Sequence, residues 1–270
     1  MYKMILSDLD ETLLVNHHIP LMNREAIQKA RQKGVKVVPA TGRSFQMIQD
    51  ILEELETKDI ENEYSICFNG GLIVENKDAK ILHFCGLTFD EAKYLFDLAD
   101  PYHMCVLIFT LEGCYLFRPE PTEIERKKKQ KAVFHVIDDY NMDFLKDEHI
   151  VKMLYVKPDM DYLKNVEKEL HGLVCNKYSV SFSSGRYLEF NALGVTKGNA
   201  LHWLADHLGM SSEEVIAIGD NYNDQTMIEQ AGLGACVKSA HDDIQKISDY
   251  VTEADYDEGA VKEVIERFVL

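Results

Sequence analysis

The sequence predicts an α/β protein, a parallel sheet covered by helices, with an α+β domain inserted in its middle. Three observations predict it. Short apolar strands alternate with helical segments at both ends of the chain, and strands apolar on both faces are those of a parallel sheet buried under helices. Between about residues 85 and 186 the rhythm changes to hairpins with two interspersed helices. Finally, carboxylates and a hydroxyl residue stand where three of the outer strands run out, the end of an open parallel sheet at which ligands bind.

The elements follow in order. Met4-Ile5-Leu6 opens a strand over 4–8. A helix runs from Asn23 to Lys33, with Asn23 expected to cap it and Gly34 to end it. Strand 35–40, a helix from about Ser44 to Glu56, and strand 64–68 complete the first part. In the middle, Leu107 to Thr110 and Cys114 to Phe117 read as strands joined through Glu112-Gly113, Val151 to Val156 as another, and Tyr178 to Ser183 with Tyr187 to Phe190 as a further pair. Helices near 89–99 and 160–171 lie among them. Alternation resumes with helix 196–208, strand 215–219, helix 223–231, strand 233–237, and helices 241–248 and 258–268. The domain boundaries expected are 1–84 and 187–270 for the sheet domain and 85–186 for the insertion.

Composition narrows the function classes. The 270 residues are 46% hydrophobic and 28% charged, the range of a soluble globular protein long enough for about two domains. No apolar run approaches the roughly 18 to 20 residues of a transmembrane helix and no signal peptide opens the chain, so no membrane partner and a cytoplasmic location are expected. The six cysteines (Cys67, Cys85, Cys105, Cys114, Cys175 and Cys236) show no zinc-ligand spacing and read as reduced core thiols, and the His17-His18 pair also lacks ligand spacing. A net charge of -17 argues against a nucleic-acid partner. The basic run from Arg126 to Lys131 follows Glu120, Glu123 and Glu125 and reads as a solvated, charge-balanced surface segment.

Chemistry concentrates in four short motifs. Asp8 and Asp10 stand two residues apart where the first strand ends. If the strand breaks there, one carboxylate and one backbone carbonyl can converge on a hard divalent cation such as Mg2+. A lone D-x-D reads equally as an acidic turn, but it has company. Thr41-Gly42-Arg43 ends the second strand, Lys197-Gly198 starts a helix, and Gly219-Asp220-Asn221-Tyr222-Asn223-Asp224 ends another apolar strand.

A D-x-D-x-T, a T-G-R, a lone K-G and a G-D-x-x-N-D in this order resemble the signature of the haloacid dehalogenase (HAD) superfamily of phosphatases, and more finely its Cof-type, class IIB branch. The likeness covers nearly the whole chain, including Asn69-Gly70-Gly71 and the run from Asp257 to Val261. It implies a Rossmann-like core with an inserted class IIB cap. It also implies a Mg2+-dependent phosphatase acting on a small phosphorylated metabolite, a sugar phosphate or a cofactor such as a flavin or pyridoxal phosphate.

The resemblance assigns roles residue by residue. Asp8 is the nucleophile that forms an aspartyl-phosphate, and Asp10 protonates the leaving alcohol and then activates water. Asp8, the Asp10 carbonyl and Asp220 hold Mg2+. Lys197 pairs with the nucleophile and the phosphate, and Asp224 orients Lys197 or a metal-bound water. Leu9, Thr41, Gly42 and Asn223 bind phosphate. Thr12 either positions a group near Asp10 or is a turn threonine, and Arg43 either adds charge beside the phosphate or covers the following helix. Asn69 and Gly70 contact substrate or the cap hinge, or form a plain turn, and Asn221 serves loop geometry. Cap residues that select substrate are sought among Tyr115, Phe117, Arg118, Arg186 and Tyr187.

One position departs from the pattern: Glu11 stands where Gly is usual, so the segment leaving the site is expected to turn differently. Two further readings remain beside the phosphatase. A phosphotransferase or phosphomutase of the same superfamily would pass the phosphoryl group to another hydroxyl. A receiver-like signalling or phosphate-binding protein would use the same residue types without turnover.

Overall fold

The computed structural model describes residues 1–129 and 133–270. The chain forms two compact units, one of residues 1–84 with 196–270 and the other of residues 85–195. Among the described residues, no helix is long and apolar enough to cross a membrane.

The first unit begins with β1 (Met4–Ser7), α1 (Leu21–Gln32), β2 (Lys36–Pro39), a 3-10 turn at Phe45–Ile48, α2 (Gln49–Glu54), β3 (Tyr64–Cys67), β4 (Leu72–Glu75) and β5 (Lys80–Phe84). The second contains α3 (Phe89–Ala99), β6 (Cys105–Thr110), β7 (Cys114–Phe117), α4 (Pro121–Lys129), β8 (Phe134–Ile137), β9 (Ile150–Val156), α5 (Met160–Val174), β10 (Tyr178–Ser183) and β11 (Tyr187–Ala192). The first unit then resumes with α6 (Lys197–His207), β12 (Val215–Gly219), α7 (Gln225–Gln230), β13 (Leu233–Cys236), α8 (Asp242–Ile247), β14 (Tyr250–Val251) and α9 (Ala260–Phe268).

In the first unit, five parallel strands run in the order β14-β13-β12-β1-β2. Every residue of β1 and β12 is buried, as a central parallel strand covered on both faces requires. One parallel bridge, Ala40 to Ile66, continues the sheet into an antiparallel β3-β4-β5 meander that the sequence reading did not contain. The second unit is a six-stranded sheet, β10-β11-β9-β6-β7-β8, antiparallel except for the β7–β8 pair. Its core includes Leu95, Phe96, Ile108, Tyr155, Leu163 and Phe190, drawn from α3, α5 and the sheet.

Several expectations change. The return to the first unit does not come at residue 187: β11 pairs antiparallel with both β9 and β10 and belongs to the inserted sheet. Asn23 does not cap α1, which starts at Leu21 after Pro20. It is buried inside the helix, and its Oδ1 accepts the Lys262 N–H in the first turn of α9. Gly34, with φ +82°, does follow the helix end, where a left-handed residue suits glycine. The expected helix 44–56 splits into the 3-10 turn and the short α2.

The basic run is not simply a surface segment. Within α4, Lys127 and Glu123 are buried one helical turn apart with 3.6 Å between charged atoms, and Tyr187 donates to Glu123 at 2.6 Å. Lys131, the last residue of that run, lies outside the described residues. Among the cap candidates, Phe117 and Tyr187 are buried within their own unit, and Arg118 pairs with Asp100 at 2.7 Å while lying 3.5 Å from the Tyr140 ring centroid.

Candidate active site

Three adjacent parallel strands, β12, β1 and β2, end together. Their C-terminal ends carry Asp220, Asp8 and Thr41, and backbone bonds fix their alignment: Asp8 N–H to Ile218 O at 2.9 Å and Ala40 N–H to Ser7 O at 2.8 Å. Residues remote in sequence therefore meet because register, not proximity along the chain, places strand ends side by side.

Lys197 lies at the centre. It is the first residue of α6, whose Thr196 side chain caps the helix by accepting the Asn199 N–H. Its ammonium is fully buried, 2.5 Å from Asp8 Oδ1 and 2.6 Å from Asp224 Oδ1. A lysine at a helix start is opposed by the helix dipole, so the two carboxylates must compensate it. Burial alone would lower the lysine's affinity for its proton, but Asp224 and Asp8 more than reverse this and hold it protonated.

Asp224 is held as firmly. Its Oδ2 accepts the N–H groups of Asp220 at 3.0 Å and Asn221 at 3.1 Å, folding the loop back on its own start. This demands glycine at position 219, where an added Cβ would come within 2.4 Å of the Asp224 carboxyl carbon. The sequence reading gave Gly219 no role, although its place directly before Asp220 in G-D-x-x-N-D was the signal available.

Asp8, Asp220 and Asp224 each offer a carboxylate oxygen, all within 4.8 Å of one another, and could hold a metal ion. Three buried carboxylates face a single ammonium, and the imbalance appears in the proton affinities of Asp8 and Asp220. Burial, partly offset by Lys197 and reinforced by Asp224, pushes the Asp8 carboxyl up to about 7. Burial, then Asp224 and Asp8, pushes Asp220 up to about 8. A hard divalent cation suits oxygen donors of this kind and would relieve the excess negative charge.

The remaining candidates divide. Leu9 is buried, and its backbone N–H lies against the Asp8 carboxylate. Thr12 is buried with its hydroxyl donating to Asp220 Oδ1 at 3.0 Å, so it braces a carboxylate across the site rather than Asp10. Thr41 is buried and its hydroxyl oxygen accepts the Arg43 N–H at 3.1 Å. Arg43 turns its guanidinium to Asp10, bonding both carboxylate oxygens, with Nε at 2.9 Å from Oδ2. His17 Nδ1 lies 3.4 Å from the same guanidinium, a contact the sequence reading did not foresee. Asp10 itself is exposed.

Gly42, Asn69 and Asn223 come together: Asn223 Nδ2 donates to Asn69 Oδ1 at 3.1 Å, and a Cβ at Gly42 would sit 3.2 Å from that oxygen. Asn221 is exposed and its side chain accepts the Tyr222 N–H, a loop role as expected. Glu11 adopts the left-handed conformation that glycine would favour, φ +58°.

Such a fold and such a constellation of carboxylates and lysine define a hydrolase of the haloacid dehalogenase-like family. The chain belongs to that family, whose model matches residues 5–265. Its fold, a parallel core with an inserted sheet, is that of a class IIB structure of the family, and the relatives it matches carry phosphatase names. It is 32% identical to YxeH of Bacillus subtilis, a protein that carries a phosphatase name, over 100% of this chain and 99% of that one. It is 30% identical to 5-amino-6-(5-phospho-D-ribitylamino)uracil phosphatase YcsE of the same organism, over 97% of this chain and 94% of that one. Among solved structures, a sugar phosphatase of HAD subclass IIB superposes with a TM-score of 0.80 and 21% identity over 98% of both chains, a likeness of fold.

Proposed function

We propose that this phosphatase hydrolyses a small phosphorylated metabolite, a sugar phosphate or a phosphorylated cofactor or its precursor, through an aspartyl-phosphate on Asp8. The observation that carries the reading is the buried chain Asp8–Lys197–Asp224 beside Asp220, which couples an oriented carboxylate to a fixed cation. The relative that acts on a phosphoribitylamino-uracil supports a small, phosphorylated, flavin-related substrate class.

Lys197 occupies Asp8 Oδ1, which leaves Oδ2 to attack phosphorus as the bond to the leaving oxygen breaks. Asp10 delivers a proton to that oxygen. It then takes one from the water that attacks the phosphoryl group, which frees Asp8 and releases phosphate. Because Arg43 now occupies both oxygens of Asp10, that ion pair opens for the proton to be delivered. Lys197 offsets the repulsion between the anionic nucleophile and the anionic ester, while the Thr41 hydroxyl and the Asn223 amide are donors for phosphate oxygens. Mg2+ fits the donor set: Asp8, Asp220 and the Asp10 carbonyl would hold it, and when bound it would supply charge neutralisation at the transferring group.

The test is phosphate release from sugar phosphates, nucleotides, pyridoxal phosphate, flavin-pathway phosphates and p-nitrophenyl phosphate, with Mg2+ or EDTA, for wild type and Asp8→Asn. Release that needs metal and disappears in Asp8→Asn is expected. Release unaffected by Asp8→Asn would remove Asp8 as nucleophile. Transfer to an added alcohol in preference to water would move the protein to the phosphotransferases.

A further inference from the structure

Three consecutive residues after β3 adopt left-handed backbone conformations: Phe68 (φ +51°), Asn69 (φ +56°) and Gly70 (φ +101°). Such conformations are costly for Phe and persist only when the surroundings enforce them. Here the loop touches three of the four motifs. Phe68 N–H donates to Arg43 O at 3.0 Å and Asn69 N–H to Thr41 O at 2.9 Å, which lays the loop along the T-G-R segment. Gly70 lies so close to Thr196, the cap of the lysine helix, that a Cβ would fall 2.3 Å from its carbonyl oxygen. The Asn69 side chain then reaches Asn223, whose Nδ2 donates to Asn69 Oδ1 at 3.1 Å.

A side-chain amide has a donor end and an acceptor end of nearly the same shape, and only its partners decide which end faces a ligand. A phosphate oxygen needs the donor end. With one Nδ2 hydrogen given to Asn69 Oδ1, the second hydrogen of the same nitrogen remains for a ligand, and as long as Asn69 presents its oxygen the amide cannot turn without losing this bond. We infer that Asn69 is a positioning residue for the phosphatase reaction, locking the Asn223 amide with its N–H toward the phosphate. This rests on the proposed phosphatase function and adds to it a residue that acts through another.

Asn69→Gly is the decisive variant, because glycine accepts φ +56° without strain and only the side chain is lost. With p-nitrophenyl phosphate and Mg2+, kcat/KM is expected to fall roughly 10- to 100-fold, the usual effect of removing a group that orients a ligand-binding one. The inhibition constant of inorganic phosphate is expected to rise with it, while the melting temperature stays near that of wild type. In a cycle with Asn223→Ala, the double variant should be no worse than Asn223→Ala alone, since Asn69 acts only through that amide.

Unchanged kcat/KM and phosphate inhibition in Asn69→Gly would overturn the assignment. Multiplying losses in the double variant would also overturn it, as Asn69 would then act on its own. A wild-type protein that neither hydrolyses the ester nor binds phosphate would overturn the phosphatase reading first, and this assignment with it.

Discussion

Replacing Lys197 with methionine keeps the length of the side chain and removes its charge. The ammonium is fully buried and holds Asp8 and Asp224 at 2.5 and 2.6 Å, with Asp220 close by. Removing one partner of a buried ion pair costs about 3–5 kcal/mol, because the other partner is left charged and unpaired. At about 2–4 °C per kcal/mol for a domain of this size, the metal-free protein should melt roughly 6–20 °C lower. The lysine's proton affinity is raised above its ordinary value near 10.5, so its contribution is fully present below that pH and does not vary between pH 5.5 and 8. Any pH dependence of the deficit therefore comes from the carboxylates, which can escape unpaired charge by taking up protons. The assay is thermal unfolding of both proteins in EDTA, followed by circular dichroism at pH 5.5 and pH 8. The deficit should be larger at pH 8, and phosphatase activity should be lost. A variant melting within about 2 °C of wild type at pH 8 would refute the argument, since by the same conversion it would put the cost of the stranded carboxylates near or below 1 kcal/mol.

Other outcomes follow from the same geometry. Asp8 and Asp220 hold their protons to about 7 and 8 in the folded protein, against 3.8 for an ordinary Asp, so the metal-free folded state binds more protons than the unfolded one between roughly pH 4 and 8. Stability from these groups is full below that window and lost as pH rises through it, so the metal-free melting temperature should fall from pH 5.5 to 8 and Mg2+ should restore it at pH 8. Calorimetry in buffers of different ionisation enthalpy should accordingly show proton release on Mg2+ binding at pH 7, and binding without release would contradict the protonated carboxylates. Gly219→Ala drives a Cβ into the Asp224 carboxyl, and overpacking of this kind costs about 1–3 kcal/mol. Activity should fall further than stability, because Lys197, Asp220 and Asn221 all rely on Asp224, and parallel melting and kinetic measurements would show it. Glu11→Gly relieves a left-handed residue and should stabilise the protein by about 1 kcal/mol, while a lower melting temperature would mean the Glu11 side chain makes a compensating contact.

The parallel sheet was legible because Met4-Ile5-Leu6, Val37 to Ala40 and Val215 to Ile218 are apolar runs suited to a two-sided core. The site was legible as motifs because ligands collect where such strands end, and Asp8, Thr41 and Asp220 all stand there. Element ends read less well: Asn23 has the chemistry of a helix cap, but burial against α9 gives its side chain the Lys262 N–H as partner instead. Strand Tyr187–Ala192 was legible as the partner of Tyr178–Ser183, but its second neighbour, β9, which holds it in the inserted sheet, was supplied only by the tertiary pairing.

The amino-acid sequence by itself determined the layered α/β architecture and the set of groups available for chemistry, since periodicity and residue type are local properties. Who touches whom was decided only by the tertiary structure. Thr12 went to Asp220 and Arg43 to Asp10, and Gly219 became indispensable because Asp224 folds back over it. Those contacts join residues up to 208 positions apart. They exist because strand register and helix packing bring surfaces together that no local pattern can relate.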